Sequence, residues 1–192
     1  LQTIGRSACE LDGIFVTHEH TDHTAGVFVL ARRYKIPVYA TRGTWRAIYP
    51  LYKNPDKSLI RVIEPGSRFS VGDLGIEAFS IPHDGAKPVG YSFYEDSSKV
   101  TVATDIGMMN ENLFLSIAKS HAVLLESNHD VNMLENGRYP YVLKKRIRGA
   151  LGHLSNDEAA ATCARLVSLG TRTIILGHLS EENNRPDLAY NT

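Results

Sequence analysis

The chain has 192 residues, of which 43% are hydrophobic and 22% are charged, and its formal net charge is zero. These values predict a globular protein with a sizeable core and exclude a globally basic nucleic-acid-binding chain. Two cysteines, Cys9 and Cys163, are too few for a disulfide framework and favour a cytoplasmic location, and no apolar run approaches the ~18 residues of a membrane helix.

Up to about residue 104, the sequence predicts short strands with few helices. Near the start, an apolar strand over 13–17 is followed by a helix over about 22–34, a strand over 37–40 and a short helix over 44–49. Between about 60 and 104, apolar runs alternate with Gly, Pro, Asp and Ser. This alternating pattern predicts strands over 61–63, 68–71, 74–81, 89–94 and 99–103.

From about residue 110 onward, predicted helices alternate with predicted strands. Residues 155–158 form a capping box, which predicts a helix that continues to about 169. The remaining predicted helices cover about 110–119, 131–136 and 140–148, and the strands cover 122–125 and 173–176. Strands in the middle and helices at both ends favour packed sheets with helices outside them, in one domain over residues 1–192.

Directly after the first strand the sequence reads His18-Glu19-His20-Thr21-Asp22-His23. Its three histidines and its aspartate are residue types that bind zinc and similar divalent ions. Residues i and i+2 point the same way at a strand end, so His18 and His20 can bind one ion together. Asp22 and His23 lie where the chain turns into a helix and would face a second ion. Six residues cannot complete two coordination spheres, so further ligands must come from elsewhere.

Three candidate ligands follow the carboxyl ends of other apolar runs. They are His83, Asp105 and His178. An aspartate can bridge two ions with its two oxygens, which makes Asp105 the natural shared ligand. The predicted arrangement is therefore His18, His20 and His83 on one ion, Asp22, His23 and His178 on the other, and Asp105 between them.

Two ions about 3.5–4 Å apart hold a bridging hydroxide that is nucleophilic at neutral pH, and they neutralise charge on a phosphate or carbonyl oxygen. This chemistry needs no side-chain nucleophile, and Asp22 enters the catalytic set as a ligand. A leaving oxygen still needs a proton, and His153 is the best candidate donor. His153 precedes a helix N-terminus that could bind an anion, and Ser155 could either cap that helix or contact phosphate.

A basic run precedes His153. It comprises Arg138, Lys144, Lys145, Arg146 and Arg148, with Tyr139 and Tyr141 between them and no acidic residue. Such a run could bind a phosphodiester backbone and stack bases, and Lys144, Lys145 and Arg146 are the predicted contacts. The alternative is the solvated face of a helix.

The run Thr17 to His23 resembles the signature motif of the metallo-β-lactamase superfamily, and His83, Asp105 and His178 match its later motifs in order. The resemblance extends over essentially the whole chain. It implies an α+β fold of the αββα type, in which two mixed sheets are flanked by helices and a dinuclear site lies at one edge. It also implies that the first strands of the fold precede this sequence, and that family members continue beyond it.

Five segments resemble the bacterial YycJ (WalJ) group more narrowly. They cover residues 81–85, 103–107, 124–130, 152–160 and 176–184. Members of this group are described as metal-dependent exonucleases acting on DNA, and they are similar to ribonuclease Z. The resemblance implies that His153 is catalytic and that Glu126 orients it.

The leading hypothesis is thus a DNA exonuclease with two zinc or manganese ions. The first alternative is a hydrolase of small esters, thioesters or lactones. A β-lactamase is disfavoured, because true β-lactamases of this fold commonly place a cysteine where Asp105 falls. A non-catalytic module would have lost ligands, and the di-iron oxidoreductases that resemble this fold replace the second motif histidine, here His20, with glutamate.

Overall fold

In the computed structural model, which describes residues 1–52 and 55–192, nine strands form two sheets. The smaller sheet has the order β1-β2-β3 and is parallel throughout these strands. Its strands are β1 Ile14–Phe15, β2 Val38–Thr41 and β3 Ile60–Ile63.

The larger sheet has the order β4 to β9 and is mixed. Its first four strands form an antiparallel meander, whereas its last three run parallel to one another. These strands are β4 Arg68–Val71, β5 Leu74–Ser80, β6 Val89–Glu95, β7 Ser98–Ala103, β8 Ala122–Glu126 and β9 Thr173–Gly177. Parallel β7, β8 and β9 have their carboxyl ends at one edge, where three of the predicted site residues follow.

Eight α-helices lie between the strands or after them within the described residues. They are α1 Thr21–Thr24, α2 Val27–Tyr34, α3 Arg42–Ile48, α4 Glu111–Ile117, α5 Val131–Asn136, α6 Tyr141–Ile147, α7 Asn156–Ser168 and α8 Pro186–Asn191. None of the helices in this part of the chain is long and apolar enough to cross a membrane.

Three buried clusters show the order of the layers. In the outer cluster of the smaller sheet, Val38 and Ala40 pack with residues of α2 and α3. Between the sheets, the Phe15 ring lies 5.5 Å from that of Tyr91 and 6.3 Å from that of Phe69. The third cluster joins the other face of the larger sheet to α4 and α7. The order is therefore helices, sheet, sheet, helices.

The prediction of one helix over 22–34 is wrong. The helix is broken at Ala25 and Gly26, which separate α1 from α2. Glycine costs about 1 kcal/mol relative to alanine inside a helix, so this position is a natural break. The break frees α1 to follow the metal-type motif while α2 buries Val27 and Ala31 against the smaller sheet.

The core beneath the site edge can be tested with Leu125→Ala in β8. Leu125 is fully buried in the cluster with α4 and α7, so we expect the free energy of unfolding to fall by about 2–5 kcal/mol. Urea denaturation followed by circular dichroism measures it. The matched control is Leu115→Ala on α4, where the side chain is 62% exposed and the expected change is below about 0.5 kcal/mol. Equal losses in the two variants would contradict this packing.

Candidate metal centre

The seven predicted ligands converge at one edge of the sheets, although they come from four separate places in the chain. Possible ligand atoms lie within 4.8 Å of one another in three sets, which share members. These sets are His18, His20 and His83; His18, His23 and Asp105; and Asp22, His23 and His178. A fourth set adds Glu126 and His153 to Asp105 and His178.

Thr17, the residue before the motif, orients two of its histidines. Its Oγ1 lies 3.1 Å from Nδ1 of His18 and 3.1 Å from Nδ1 of His23. Both rings therefore turn their Nε2 atoms inward. His18 Nε2 lies 2.8 Å from Nδ1 of His20, so two nitrogens meet at the first position. A histidine that binds a metal generally has its other nitrogen hydrogen-bonded in this way.

His83 is oriented from a different loop. Its Nδ1 lies 2.9 Å from the carbonyl oxygen of Gly152, and its Nε2 is buried without a hydrogen-bond partner in the described residues. The loop is tight at Gly152, where a Cβ atom would lie 2.1 Å from the carbonyl oxygen of Ile147. The close approach that orients His83 thus requires glycine at this position.

Asp105 and His178 both follow strands and adopt left-handed backbone conformations, with φ of 60° and 55°. Such conformations cost about 1–3 kcal/mol for residues other than glycine and cluster at functional sites. Asp105 Oδ2 lies 3.4 Å from His23 Nε2, whereas its Oδ1 lies 3.4 Å from His178 Nε2 and 3.7 Å from His83 Nε2. Asp105 thus lies between the two groups of histidines.

Glu126, the last residue of β8, organises the far side of the centre. Its Oε1 accepts hydrogen bonds from Nδ1 of His153 at 2.8 Å and of His178 at 2.7 Å. Its Oε2 accepts the backbone N–H groups of Ile106 at 2.6 Å and Leu154 at 3.1 Å. Burial alone would raise the pKa of this carboxyl, but the hydrogen bonds and charges of the two histidines lower it to about 2. Glu126 is fully buried, so it can act only by positioning the two rings.

The electrostatics of the centre favour a bound cation. Burial and the neighbouring histidines lower the pKa of His18 to about 2, which leaves its ring neutral and able to bind a metal at neutral pH. Burial lowers the pKa of His178 too, but its bond to Glu126 and the charges of Asp105 and Asp22 raise it to about 9. Asp105 Oδ2 and His83 Nε2 are also buried without hydrogen bonds to any residue that the structure describes, an arrangement that divalent ions would satisfy. The donor set therefore fits divalent metal ions.

An open cleft of about 780 Å³ lies over these residues. Asp22, Asp105, His153 and His178 line it, together with Tyr139, Leu143 and Arg146 from α6 and the segment before it. The cleft is thus lined both by metal-type donors and by Arg146.

Of the predicted substrate residues, only some lie at the cleft. Arg146 lines the cleft, whereas Lys145 lines a separate groove. Lys144 Nζ donates to the carbonyl oxygens of Glu135 at 2.8 Å and Gly137 at 2.7 Å, which ties it to the end of α5. Ser155 is nearly buried as the N-cap of α7, and its hydroxyl both accepts from the Glu158 N–H and donates to the Glu158 carboxylate. For Ser155 this geometry favours the capping alternative over phosphate contact.

Sequence reasoning missed Asp84, although it directly follows His83. Asp84 Oδ2 accepts a hydrogen bond from Nε of Arg146, and its Oδ1 lies 3.4 Å from His83 Nε2 and 3.6 Å from His20 Nε2. An Asp-Gly pair is typical of a turn, so the sequence gives little sign that the carboxylate points into the centre.

Solved structures with this arrangement of layers have the same fold. Zinc-bound PqqB from Methylobacterium extorquens gives a TM-score of 0.70 at 18% identity, over 94% of this chain and 65% of that one. The short form of human tRNase Z gives 0.64 at 18% identity, over 91% of this chain and 74% of that one. The predicted αββα sandwich of the metallo-β-lactamase type is thereby confirmed.

Comparison with sequence relatives identifies the family of the chain. The beta-lactamase superfamily domain matches residues 2–179. Exodeoxyribonuclease YycJ of Bacillus anthracis is 40% identical over 180 residues, or 94% of this chain and 68% of that protein. Exodeoxyribonuclease WalJ of Streptococcus pneumoniae is 39% identical over 194 aligned positions, or 100% of this chain and 72% of that protein. The chain therefore belongs to the beta-lactamase superfamily and, within it, to the family that contains YycJ and WalJ.

Proposed function

We propose that the protein is a dinuclear metal-dependent phosphodiesterase that acts as an exonuclease on DNA. The observation that supports it best is the placement of His153, which Glu126 holds at 2.8 Å beside the metal-type donors and on the wall of the Arg146 cleft. A proton donor, metal ligands and a phosphate contact in one cleft suit phosphodiester hydrolysis. The identity with two exodeoxyribonucleases supports the choice of DNA.

The proposed centre holds two ions, zinc or manganese. His18, His20 and His83 would bind the first ion, Asp22, His23 and His178 the second, and Asp105 both, in keeping with the sets of neighbouring donor atoms. When bound, such ions activate water and neutralise charge on a phosphate. The protein's own part is to hold the inner ring nitrogens in place, through Thr17, Gly152 and Glu126.

His153 is the proposed general acid. Its Nδ1 donates to Glu126, which leaves Nε2 as the atom that gives a proton to the leaving oxygen of the cleaved ester. Glu126 fixes the ring and its tautomer, a role that a buried carboxylate performs through the hydrogen bond alone. Asp22 is 68% exposed at its side chain and lies on the cleft wall, where it can serve as a ligand without blocking substrate.

Arg146 is the proposed phosphate contact. Only its Nε is hydrogen-bonded within the described residues, so both terminal nitrogens can meet a phosphate bidentately. Tyr139 on the same wall offers a ring for base stacking. Lys144 and Lys145 lie away from the cleft and are assigned no substrate contact.

A cytoplasmic location fits the same proposal. Both cysteines are free thiols, Cys9 exposed and Cys163 half-buried, as a reducing compartment would keep them.

The main test is hydrolysis of end-labelled linear duplex DNA with added manganese or zinc. We expect mononucleotide release by the wild type, no release with a chelator, and a loss of more than about a hundredfold in His18→Ala, because a ligand is removed. His121→Ala is the matched control, since His121 is exposed just before β8, at the opposite end of that strand from Glu126. Closed circular DNA should remain intact.

Cleavage of the circle would replace the exonuclease assignment with an endonuclease. Turnover of a chromogenic thioester or lactone, with linear DNA untouched, would favour the small-molecule alternative. DNA hydrolysis that His18→Ala leaves unchanged would contradict a metal-dependent mechanism altogether.

The acid role predicts a dependence on the leaving group. On DNA, His153→Ala should lower kcat by about 10²–10⁴-fold, because the leaving alkoxide needs a proton. On bis(p-nitrophenyl) phosphate the same variant should lose far less, because p-nitrophenolate leaves without protonation. Steady-state kinetics on both substrates, with metal content measured in parallel, make the comparison. Equal losses on the two substrates would remove His153 from the acid role.

The two faces of α6 give a paired test of the phosphate contact. Arg146→Gln should raise KM for DNA and make the dependence of log affinity on log salt shallower by about 1, because one phosphate contact is lost. Lys145→Gln removes the same charge from the residue just before Arg146. It should change neither KM nor the salt dependence measurably. Steady-state kinetics give KM, and fluorescence anisotropy over a salt series, with phosphorothioate DNA that resists hydrolysis and at saturating metal, gives the affinity of both variants. Matching effects would mean that the substrate follows the whole basic run instead of the cleft.

A further inference from the structure

Each ring in the proposed centre has an outer nitrogen that faces away from the ions. For four of the five ligand histidines this nitrogen lies within hydrogen-bond distance of a partner. The pairs are His18 and His23 with Thr17, His83 with the Gly152 carbonyl, and His178 with Glu126. His20 differs: its Nδ1 faces His18, and its outer Nε2 makes no hydrogen bond to the described residues.

A carboxylate oxygen lies next to that unpaired nitrogen. Asp84 Oδ1 is 3.6 Å from His20 Nε2 and 3.4 Å from His83 Nε2, and it is buried without a hydrogen-bond partner in the described part of the chain. Because His83 Nδ1 faces the Gly152 carbonyl and so carries the proton of that ring, His20 Nε2 is the nitrogen that can donate to Oδ1. A buried carboxylate oxygen left unpaired is unfavourable, so Asp84 Oδ1 favours a donor, and the partly exposed His20 ring offers one. The separation exceeds a hydrogen bond, but a movement of about half an ångström would close it.

Asp84 is itself held from two sides. Its backbone N–H donates to the carbonyl oxygen of Leu151 at 3.1 Å, and its Oδ2 accepts from Nε of Arg146. These contacts aim Oδ1 at the His18–His20–His83 group.

We propose that Asp84 is a positioning residue of the metal centre, whose Oδ1 accepts the Nε2–H of His20 and so directs Nδ1 of that ring to the first ion. Carboxylates commonly hold ligating histidines in this way and contribute about 10–100-fold to metal affinity or activity. Because Arg146 holds Asp84 and also lines the cleft, the phosphate contact and a metal ligand are physically linked. This inference rests on the proposed dinuclear function.

Isothermal titration calorimetry of manganese into the metal-free protein tests the proposal. The wild type should bind two ions. In Asp84→Ala the affinity for one of them should fall about 10–100-fold, with the other affinity and the Tm of the metal-free protein unchanged. Asp73→Ala is the matched control, because Asp73 is exposed in the turn between β4 and β5, at the opposite end of β5 from His83.

Wild-type affinity for both ions in Asp84→Ala, or an equal loss of both, overturns the inference and leaves the proposed function standing. Failure of the wild type to bind any ion overturns both. If Asp84→Ala does not fold, Arg146→Gln decides, because it frees Asp84 but keeps its carboxylate. If Arg146→Gln loses affinity for one of the two ions, by less than the loss of about 10–100-fold expected for Asp84→Ala, the inference is supported. If its affinity for both ions equals that of the wild type, the inference is overturned.

A spectroscopic measurement separates positioning from a purely structural role. In the zinc-loaded wild type, long-range ¹H–¹⁵N spectra should show His20 protonated at Nε2, with that proton protected from exchange. In Arg146→Gln the proton should exchange faster, because its acceptor is no longer held. A ring protonated at Nδ1, or exchange unaffected by the substitution, contradicts the assignment.

Discussion

The buried carboxylate of Glu126 is the interaction on which the site edge depends. A charge without solvent is strongly unfavourable unless it is fully paired. Glu126 accepts four hydrogen bonds, two from imidazole rings and two from backbone amides. Because the amides follow Asp105 and His153 in the chain, one group fixes the loops after β7 and before α7 as well as the ring of His178. Neutralising this carboxylate would loosen the proposed ligand and the proposed acid together.

Sheet topology explains why one carboxylate can reach so many partners. Strands β7, β8 and β9 are adjacent and parallel, so the residues after them meet at a single edge. Asp105 follows β7, Glu126 ends β8 and His178 follows β9. The left-handed backbones of Asp105 and His178 turn these side chains back over the edge, and Asn128 holds the second turn by donating to the His178 carbonyl at 3.0 Å. An antiparallel strand in the middle would have sent one of these residues to the opposite edge.

The same topology shows what could be predicted from sequence. A polar residue after an apolar run is visible in the sequence, so the convergence of His83, Asp105 and His178 on the early motif could be anticipated. The sequence does not predict which side chains of a short helix face the site. Lys145 and Arg146 look equivalent in sequence, but neighbouring residues point about 100° apart on a helix, and only Arg146 faces the cleft. Likewise, the role of Asp84 depends on Arg146, which is 62 residues away in the chain.

Several features of this edge are unfavourable for folding when considered alone. Asp105 and His178 have left-handed backbones, and Asp105 Oδ2 and His83 Nε2 are buried without hydrogen bonds within residues 1–52 and 55–192. The three packed clusters of the sandwich can hold these features in place, because each buries residues from several elements. All of them lie where cations would be coordinated, so the groups that weaken the metal-free fold are those that would bind the ions. Metal binding and stability are therefore linked, since any ion that binds only the folded chain shifts the folding equilibrium toward it.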